Sequence, residues 1–360
     1  ANSPHQFWLT YGFKTEVGFY KIMSSALLFG VLGAAAYALF IAVKKRDFAA
    51  SACVVLTTSI GVFLLNPLVS NAMNWRSGSV MHPNEIRVIE DVAKVASPED
   101  YIVSWWDYGY PLRFFANTKT LVDGAKHSGA NNFAPSFVFA RDQVSGVNMA
   151  RLDVEYTEKA FHEPTQLANW IESNIFDMTI DYDYTNIDEF LKQALSKKDL
   201  QMPQKTREVF IYIPQSMLRI MGTVFTFSRR DVMTGKDWGG MFIVDQTQII
   251  EKNGVFEVGN FFVSSHNAKF WGKGSEVIHD LNRFITVDYP NNRHTVTEVA
   301  GNPNSRYYAI YLKNYGRIFL LDDAMYNSLF VQLFMLERHD PELLELVSAN
   351  AWAKAWRIKK

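Results

Sequence analysis

Residues 22–43 form a run of 22 positions without a single charged side chain. An α-helix rises 1.5 Å per residue, so a run of this length crosses a hydrocarbon core of ~30 Å. A second uncharged stretch covers residues 48–75 and is broken near its end by Asn66-Pro67. The sequence therefore predicts a membrane segment over residues 1–76, with transmembrane helices at about 22–43 and 48–72. The alternative interpretation is a pair of buried helices in a soluble core.

The loop between the two runs is basic. Lys44-Lys45-Arg46-Asp47 places three cations together, and short basic loops favour the cytoplasmic side of a membrane. The large domain that follows residue 76 is then expected in the periplasm, on a multi-pass protein of the inner (cell) membrane. The chain begins Ala1-Asn2-Ser3, without a Met or a signal-peptide pattern, so we expect a fragment of a longer protein.

Composition removes several classes of function. The net charge is −1, from 36 basic and 37 acidic residues, and so indicates no nucleic-acid partner. A single cysteine, Cys53, excludes an internal disulfide framework and cysteine-based zinc sites. The sequence contains no H-E-x-x-H, G-x-S-x-G or Walker-type motif.

The region after the membrane segment predicts a mixed α/β (α+β) domain with a β-rich insertion. Residues 77–225 alternate helical and extended patterns and form the predicted α/β core, which carries the site motifs. Residues 226–321 are β-rich, and residues 322–360 are predicted as C-terminal helices. Predicted helices are 82–96, 148–161, 166–175, 187–195, 322–337 and 341–347. Predicted strands are 101–104, 118–122, 209–213, 242–244, 247–250, 255–258, 261–264, 284–287, 307–312 and 318–321, with a hairpin at Asn253-Gly254.

Trp105-Trp106-Asp107 stands where the strand 101–104 opens into a loop. Each indole has one N–H donor and no acceptor, while an ionised Asp only accepts. Together these groups can enclose a small hydroxyl, with the N–H groups donating to its oxygen and the carboxylate accepting its proton. This chemistry suits the recognition of Ser or Thr in a peptide. The alternative is a tryptophan pair that serves the core, followed by an ordinary Asp-Tyr-Gly turn.

The motif and its surroundings resemble the catalytic subunits of oligosaccharyltransferases, in their bacterial single-subunit form. The resemblance begins with the family's WWDYG signature at residues 105–109, runs from about residue 44 to near the C-terminus, and is most specific between residues 101 and 160. Further matching segments are 108–111, 119–124, 126–127, 132–133, 135–137, 148–152, 154–159 and 330–332. It implies transfer of an oligosaccharide from a polyprenyl diphosphate to the Asn of an Asn-X-Ser/Thr sequence. It implies that Trp105, Trp106 and Asp107 bind the Ser/Thr hydroxyl. Tyr108 and Gly109, which complete the signature, are further candidates for this site.

Bacterial members of that family carry a second motif, Met-x-x-Ile, beside the same pocket. Met217-Leu218-Arg219-Ile220 fits its spacing, and Ile220 is expected to touch the methyl group of an acceptor Thr. Residues 123–127, Asp-Gly-Ala-Lys-His, read as a turn. A role for Lys126 or His127 near the lipid-linked diphosphate is the second interpretation.

The resemblance also implies a divalent cation, Mn²⁺ or Mg²⁺, held by carboxylates in the membrane half of the complete enzyme. Only two spans are present here, and Glu16, the one acid before the first span, matches the family's loop poorly. We therefore expect no catalytic residue in this chain and no metal bound by it alone. The competing hypotheses are a non-catalytic, membrane-anchored domain that binds peptides or glycans, and an envelope α/β enzyme of other chemistry.

Overall fold

The computed structural model describes residues 16–59, 61, 81–127, 130–162, 173–231, 235–236, 243–246 and 249–360. The chain divides into two compact units, Ala1–Val80 and Met81–Lys360.

The first unit contains helix α1, Glu16–Lys44, and a second helix, α2, over residues 48–59. Asp47 begins α2, because its carboxylate accepts a hydrogen bond from the N–H of Ala50 at 2.9 Å. Both helices coincide with the predicted uncharged runs, although residues 62–72 of the second run lie outside the described residues. In the part of the chain that the structure describes, no helix meets the length and hydropathy needed to cross a membrane. The two spans therefore stay a prediction.

The second unit is built on a four-stranded sheet with the order β1-β2-β14-β13. Strand β1 lies parallel to β2, and β14 and β13 then follow in antiparallel orientation. The predicted strands 101–104 and 209–213 are thus confirmed, and Lys119 of the predicted run 118–122 forms a single bridge to Tyr101. The strands are β1 Tyr101–Val103, β2 Val209–Pro214, β13 Leu344–Ala349 and β14 Ala353–Ile358.

Helices cover this sheet. The first of them, α3, starts with a capping box in which His82 accepts from the N–H of Asn84 and Glu85 accepts from the N–H of His82. The predicted helix 148–161 is confirmed and begins earlier, at Gln143. Most of the predicted helix 166–175 lies outside the described residues. The helices are α3 Pro83–Ala93, α4 Gly109–Ala116, α5 Phe133–Ala140, α6 Gln143–His162, α7 Ser173–Asp181, α8 Ile187–Glu189 (continued by a π turn, Phe190–Ala194) and α9 Met221–Thr226.

The C-terminal part corrects the prediction of helices over residues 322–360. Asp322 caps a helix as expected, but α10 covers only Asp323–Tyr326 and is followed by a π turn at Val331–Met335. The predicted helix 341–347 is wrong, because the chain there enters β13. Its leucines have helical spacing, but pairing with β14 satisfies the backbone and overrides that local preference.

The β-rich insertion consists of two five-stranded sheets. One has the order β10-β9-β11-β12-β3, and the other is the antiparallel meander β4 to β8. The hairpin at Asn253-Gly254 is confirmed, since both residues have positive φ, 52° and 71°. The predictions missed β4, β7, β8 and β10. Residues 249–250, the described part of the predicted strand 247–250, are not in a strand. The strands are β3 Ile243–Gln246, β4 Glu251–Lys252, β5 Val255–Val258, β6 Phe261–Ser264, β7 Lys269–Gly272, β8 Ile278–Asp280, β9 Arg283–Asp288, β10 Thr295–Ala300, β11 Tyr307–Leu312 and β12 Arg317–Asp322.

The first of these sheets lies between two hydrophobic cores. Ile310 and Phe319 point into the main core, which also contains Trp105. Their strand neighbours Ala309 and Leu320 point into a second core that is shared with the meander. Alternation along each strand therefore stacks the main core, the mixed sheet and the meander in layers.

Candidate functional site

Two loops meet at one edge of the core sheet, because the parallel strands β1 and β2 end side by side. Val103 is in register with Ile211, and the hydroxyl of Ser104 donates to the carbonyl of Tyr212 at 2.9 Å. Binding groups concentrate outside the carboxyl ends of parallel strands. The residues after β1 include both tryptophans and Asp107, and those after β2 include Met217 and Ile220. The fold thus brings the two sequence motifs together.

The first loop places the three predicted side chains at different depths. Trp106–Tyr108 form a 3₁₀ turn that leads directly into α4. Trp105 is only 3% exposed, and its ring packs in the core with its centroid 5.3 Å from that of Phe227. Trp106 and Asp107 are half-buried. Trp105 is therefore a residue of the core, whereas its two neighbours reach the surface.

The second loop is joined to the first through Ser216, which lies in the 3₁₀ turn Gln215–Arg219. Its hydroxyl donates to the phenol oxygen of Tyr108 at 2.9 Å, and its N–H donates to the carboxylate of Glu85 at 3.1 Å. Burial raises the pKa of Tyr108 well above its usual range. Tyr108 is only 4% exposed, so it holds the two loops together rather than offering its side chain to a ligand.

Met217 and Ile220 share a face for a reason that differs from the α-helical one. A 3₁₀ helix has three residues per turn, so the side chains at positions i and i+3 lie directly above each other. Met217 is fully buried, whereas Ile220, which ends the turn, is half-buried. Ile220 is therefore the member of the pair with surface to offer, and Met217 supports it from the core.

A third segment, residues 122–127, packs against the WWDYG loop. The carboxylate of Asp123 accepts from the N–H groups of Ala125 at 2.8 Å and Lys126 at 3.0 Å. Burial alone would raise the pKa of Asp123, but these donors and Arg113 at 2.7 Å hold it below its usual value. The turn interpretation of this segment accounts for Asp123. The side-chain roles of Lys126 and His127 stay predictions.

This third segment also fixes the plane of Trp106. The imidazole of His127 stacks on the indole at a centroid distance of 4.6 Å and an interplanar angle of 25°. The side-chain amide of Asn132, which is buried, donates to the backbone carbonyl of His127 at 3.1 Å. Asn132 thus anchors the residue that carries the stacked ring.

The electrostatics of the site centre on Asp107. Burial raises the pKa of its carboxyl, and the nearby His127 acts in the opposite direction. Among the described residues, neither this carboxylate nor the N–H groups of Trp105 and Trp106 have a hydrogen-bond partner. Side chains of this kind normally find partners when they are buried. Within the described part of the chain, one acceptor and two donors are therefore available to bind a group that carries both a proton and lone pairs, such as a hydroxyl.

Comparison with known proteins assigns this arrangement to a family. Residues 98–234, which contain both loops, match the family model described as the STT3/PglB/AglB core domain. The crystal structure of the C. jejuni PglB C-terminal domain superposes with a TM-score of 0.64 at 33% identity, covering 77% of this chain and 100% of that one. This chain belongs to the STT3/PglB/AglB family.

Two curated relatives extend the match over nearly the whole chain. Both are named undecaprenyl-diphosphooligosaccharide–protein glycotransferase, one from Campylobacter jejuni strain RM1221 and one from C. jejuni subsp. jejuni serotype O:2. Each is 33% identical over 347 residues, which is 94% of this chain and 47% of the relative. This STT3/PglB/AglB chain thus spans about half the length of the curated relatives it matches.

The described residues of this STT3/PglB/AglB chain do not fit a metal site. The described residues contain no group of three or more His, Cys, Asp or Glu side chains that could hold a cation. Glu16, the weak metal candidate from the sequence, is the first residue of α1, and its side chain lies outside the described part.

Gly109, the last residue of WWDYG, leaves no room for a side chain. A Cβ atom added there would lie 2.5 Å from the Cβ of Asp123 and 2.6 Å from the carbonyl oxygen of Val122. The obstacle is largely backbone, so it cannot rotate away. The glycine is required because α4 starts in direct contact with the third segment.

We expect Gly109→Ala to lower the free energy of unfolding by about 1–3 kcal/mol, the usual cost of overpacking a core. Gly222→Ala is the matched control, because a Cβ at that exposed position in α9 meets nothing within 4 Å. It should leave stability unchanged or raise it by up to about 1 kcal/mol. Thermal unfolding of both variants measures the difference, and equal melting temperatures would contradict the steric argument.

Proposed function

We propose that this chain is the C-terminal part of an oligosaccharyltransferase. The complete enzyme would transfer an oligosaccharide from undecaprenyl diphosphate to the Asn of Asn-X-Ser/Thr sequences in an acceptor polypeptide. The names of both C. jejuni relatives support this activity and favour it over a non-catalytic binding domain. The role proposed for this part is to bind the Ser or Thr of the acceptor.

The set of free polar groups at the end of β1 carries the proposal. The oxygen of an acceptor hydroxyl would accept hydrogen bonds from the N–H of Trp106 and from the N–H at the indole edge of Trp105. Its O–H would donate a hydrogen bond to the carboxylate of Asp107. A site built to satisfy a hydroxyl discriminates strongly against analogues without one, because its own polar groups are then left unpaired. The stack of His127 on Trp106 supports this role, since it sets the direction of one donor before the acceptor arrives.

The reaction itself is assigned to residues outside this chain. A Mn²⁺ or Mg²⁺ ion held by carboxylates in the other half of the enzyme would polarise the leaving diphosphate. The contribution of the present residues would be orientation. By fixing the hydroxyl two positions beyond the acceptor Asn, they would hold that amide at the reaction centre.

We further propose that the first unit anchors the enzyme in the inner membrane, with the second unit in the periplasm. The support is the uncharged run 22–43 together with the large apolar side chains that α1 and the start of α2 leave uncovered. Phe29, Tyr37, Phe40 and Phe48 are all more than half exposed. Surfaces of that kind need an apolar environment.

A transfer assay tests the proposed function. The full-length protein, supplied with lipid-linked sugar extracted from its own cells, should glycosylate a fluorescent Asn-X-Thr peptide and leave the Gln-X-Thr peptide unchanged. Trp106→Leu, which keeps an apolar side chain but removes the N–H and the ring, should slow the reaction. Absence of transfer by the wild-type protein, or near-normal turnover by the variant, would contradict the proposal.

Acceptors with Thr should be preferred to those with Ser. We propose that the half-buried side chain of Ile220, at the end of the second loop, lies beside the acceptor hydroxyl and contacts the Thr methyl group. Burying one methyl group is worth about 0.8 kcal/mol, a few-fold in kcat/KM. Ile220→Ala should reduce this preference towards equality while both acceptors are still used. Paired kinetics with Asn-X-Thr and Asn-X-Ser peptides measure it, and an unchanged preference in the variant would remove Ile220 from the site.

A further inference from the structure

The meander β4 to β8 has one face in the second core and one face outside it. Phe256, Val258, Val263 and Phe270 point inwards and are buried. Their strand neighbours point outwards, as alternation along a strand requires. The proposed function makes no use of this outer face, yet it is not uniformly polar.

Register aligns the outward side chains into a row. Glu257 lies opposite Phe262, Phe262 lies opposite Trp271, and Trp271 lies opposite Ile278. The two aromatic rings are half-buried neighbours, with centroids 5.9 Å apart and planes inclined by 33°. A pair of ring faces is thus held in fixed positions by the sheet itself.

A shallow cavity of about 380 Å³ lies along this row. Its lining combines apolar and charged side chains, and its size falls within the range of small-ligand sites. Lys273 pairs with Glu257 at the rim, and its ammonium nitrogen lies 5.9 Å from the ring centroid of Phe262. The lining residues are Ile250, Lys252, Val255, Glu257, Phe262 and Trp271.

This chemistry fits a sugar better than the other ligand classes. A pyranose ring has an apolar C–H face that stacks on an aromatic ring, and a rim of hydroxyls that both donate and accept. Glu257 can accept from such hydroxyls, while Lys252 and Lys273 can donate to them. A nucleic acid would require a surface dominated by cations, whereas this rim contains a carboxylate. A protein partner would require a far larger area than one such cavity.

We propose that the outer face of the meander binds oligosaccharide through Phe262 and Trp271, and that its occupant is the glycan of an already modified polypeptide. The source of the glycan rests on the proposed function. The mixed sheet separates the meander from the core that holds Trp105, and stacked sheets lie about 10 Å apart. The first sugar of a donor must lie at the reaction centre, whereas the glycan of a product is free to reach this second position.

Binding to the full-length protein tests the inference with two probes. One is a fluorescent glycopeptide that carries the cell's own oligosaccharide, and its matched control is the same peptide without sugar. The other is that oligosaccharide released from its lipid carrier by mild acid, which can be prepared whether or not the protein transfers it. Wild type should bind both sugar-bearing probes, and Trp271→Ala should weaken that binding by about tenfold, an aromatic contact's usual contribution.

Two further variants control for folding and for the face as a whole. Trp271→Leu keeps an apolar side chain without a ring face, and should lose binding as Trp271→Ala does. Lys269→Ala removes an outward side chain of the same strand that does not line the cavity, and should leave binding intact. The inference is overturned if wild type and both Trp271 variants bind the sugar-bearing probes with equal affinity. It is also overturned if the Trp271 variants lose as much affinity for the sugar-free peptide as for the glycopeptide.

The same measurements separate the two proposals. Retained binding of the released oligosaccharide in a protein that transfers no sugar would remove the proposed function and keep the carbohydrate site. Normal transfer by the wild-type protein, with glycopeptide binding unchanged in the Trp271 variants, would keep the proposed function and remove the carbohydrate site. An effect of Trp271 confined to the KM for the lipid-linked donor overturns the assignment to the product glycan.

Discussion

Asp107→Ala in the full-length protein should lower kcat/KM for an Asn-X-Thr peptide by about 10- to 100-fold without lowering the melting temperature. The loss corresponds to one hydrogen bond to a charged group, worth about 1.5–3 kcal/mol. Stability is spared because the Asp107 carboxylate has no hydrogen-bond partner among the described residues. Asp107→Asn keeps an acceptor oxygen but loses the charge, so its activity should fall between those of wild type and the Ala variant.

The pKa of Asp107 gives this prediction a second, independent readout. Burial raises that pKa above its ordinary value of 3.8, so ionisation of the group opposes folding. The folded state then binds the proton more tightly than the unfolded state, and stability falls as pH rises from about 3.8 through the folded pKa. Asp107→Asn removes this cost. The variant should gain stability relative to wild type at pH 7, and the gain should vanish at pH 3.

A substrate change distinguishes lost recognition from general damage. Wild type should already be slow on Asn-X-Val, in which a methyl group replaces the hydroxyl. If Asp107 acts only on that hydroxyl, Asp107→Ala should cause little further loss with this peptide. An equal loss with Thr and Val acceptors would show that Asp107 supports the fold of the loop instead.

The sequence was sufficient for elements whose signals are local. Strand β2, the strands 255–258 and 261–264, and the hairpin at Asn253-Gly254 all follow from alternation and turn residues, and the structure confirms them. Strand β13 was missed because its leucine spacing also fits a helix. Only pairing with β14, which takes the centre of the core sheet, decides between the two, and sequence spacing carries no information about that partner.

The candidate site was predictable in its chemistry and not in its support. Residue type and position at a strand end are enough to predict Trp106 and Asp107 as candidates for binding a hydroxyl. The groups that hold them come from distant parts of the chain, as with Ser216, which joins Tyr108 across 108 residues. Asn132 and the stacked His127 have no spacing signal either. Trp105 shows the same limit, since its 3% exposure makes it a core residue whose replacement would test packing as much as recognition.

A buried cation near the start of the C-terminal strand shows how such long-range support affects stability. Lys354 lies on β14 with its side chain completely buried. Its ammonium nitrogen is 2.8 Å from the carboxylate of Glu337, donates to the carbonyl of Phe334 and lies 5.3 Å from the ring centroid of Tyr289. Tyr289 follows β9 of the insertion, so this single group joins the core sheet to the β-rich part.

Burial lowers the pKa of Lys354 from 10.5 to about 8, although Glu337 partly offsets the effect. Between these two values the unfolded state binds the proton and the folded state does not, so the free energy of unfolding must rise with pH over that window. The rise should be on the order of 3 kcal/mol, from 1.36 kcal/mol per unit of pKa. Below pH 8 both states are protonated, and the full cost of burying the charge is present.

Lys354→Met isolates this contribution, because every other group that titrates in the window is present in both proteins. From pH 8 to pH 10.5 the free energy of unfolding of wild type should increase relative to that of the variant. Denaturant titrations at several pH values measure this difference. Lys359→Met removes an exposed lysine just beyond the same strand, and its curve should run parallel to that of wild type. Parallel curves for Lys354→Met as well would show that the ammonium group reaches solvent, and that the contact between the insertion and the core does not depend on a buried charge.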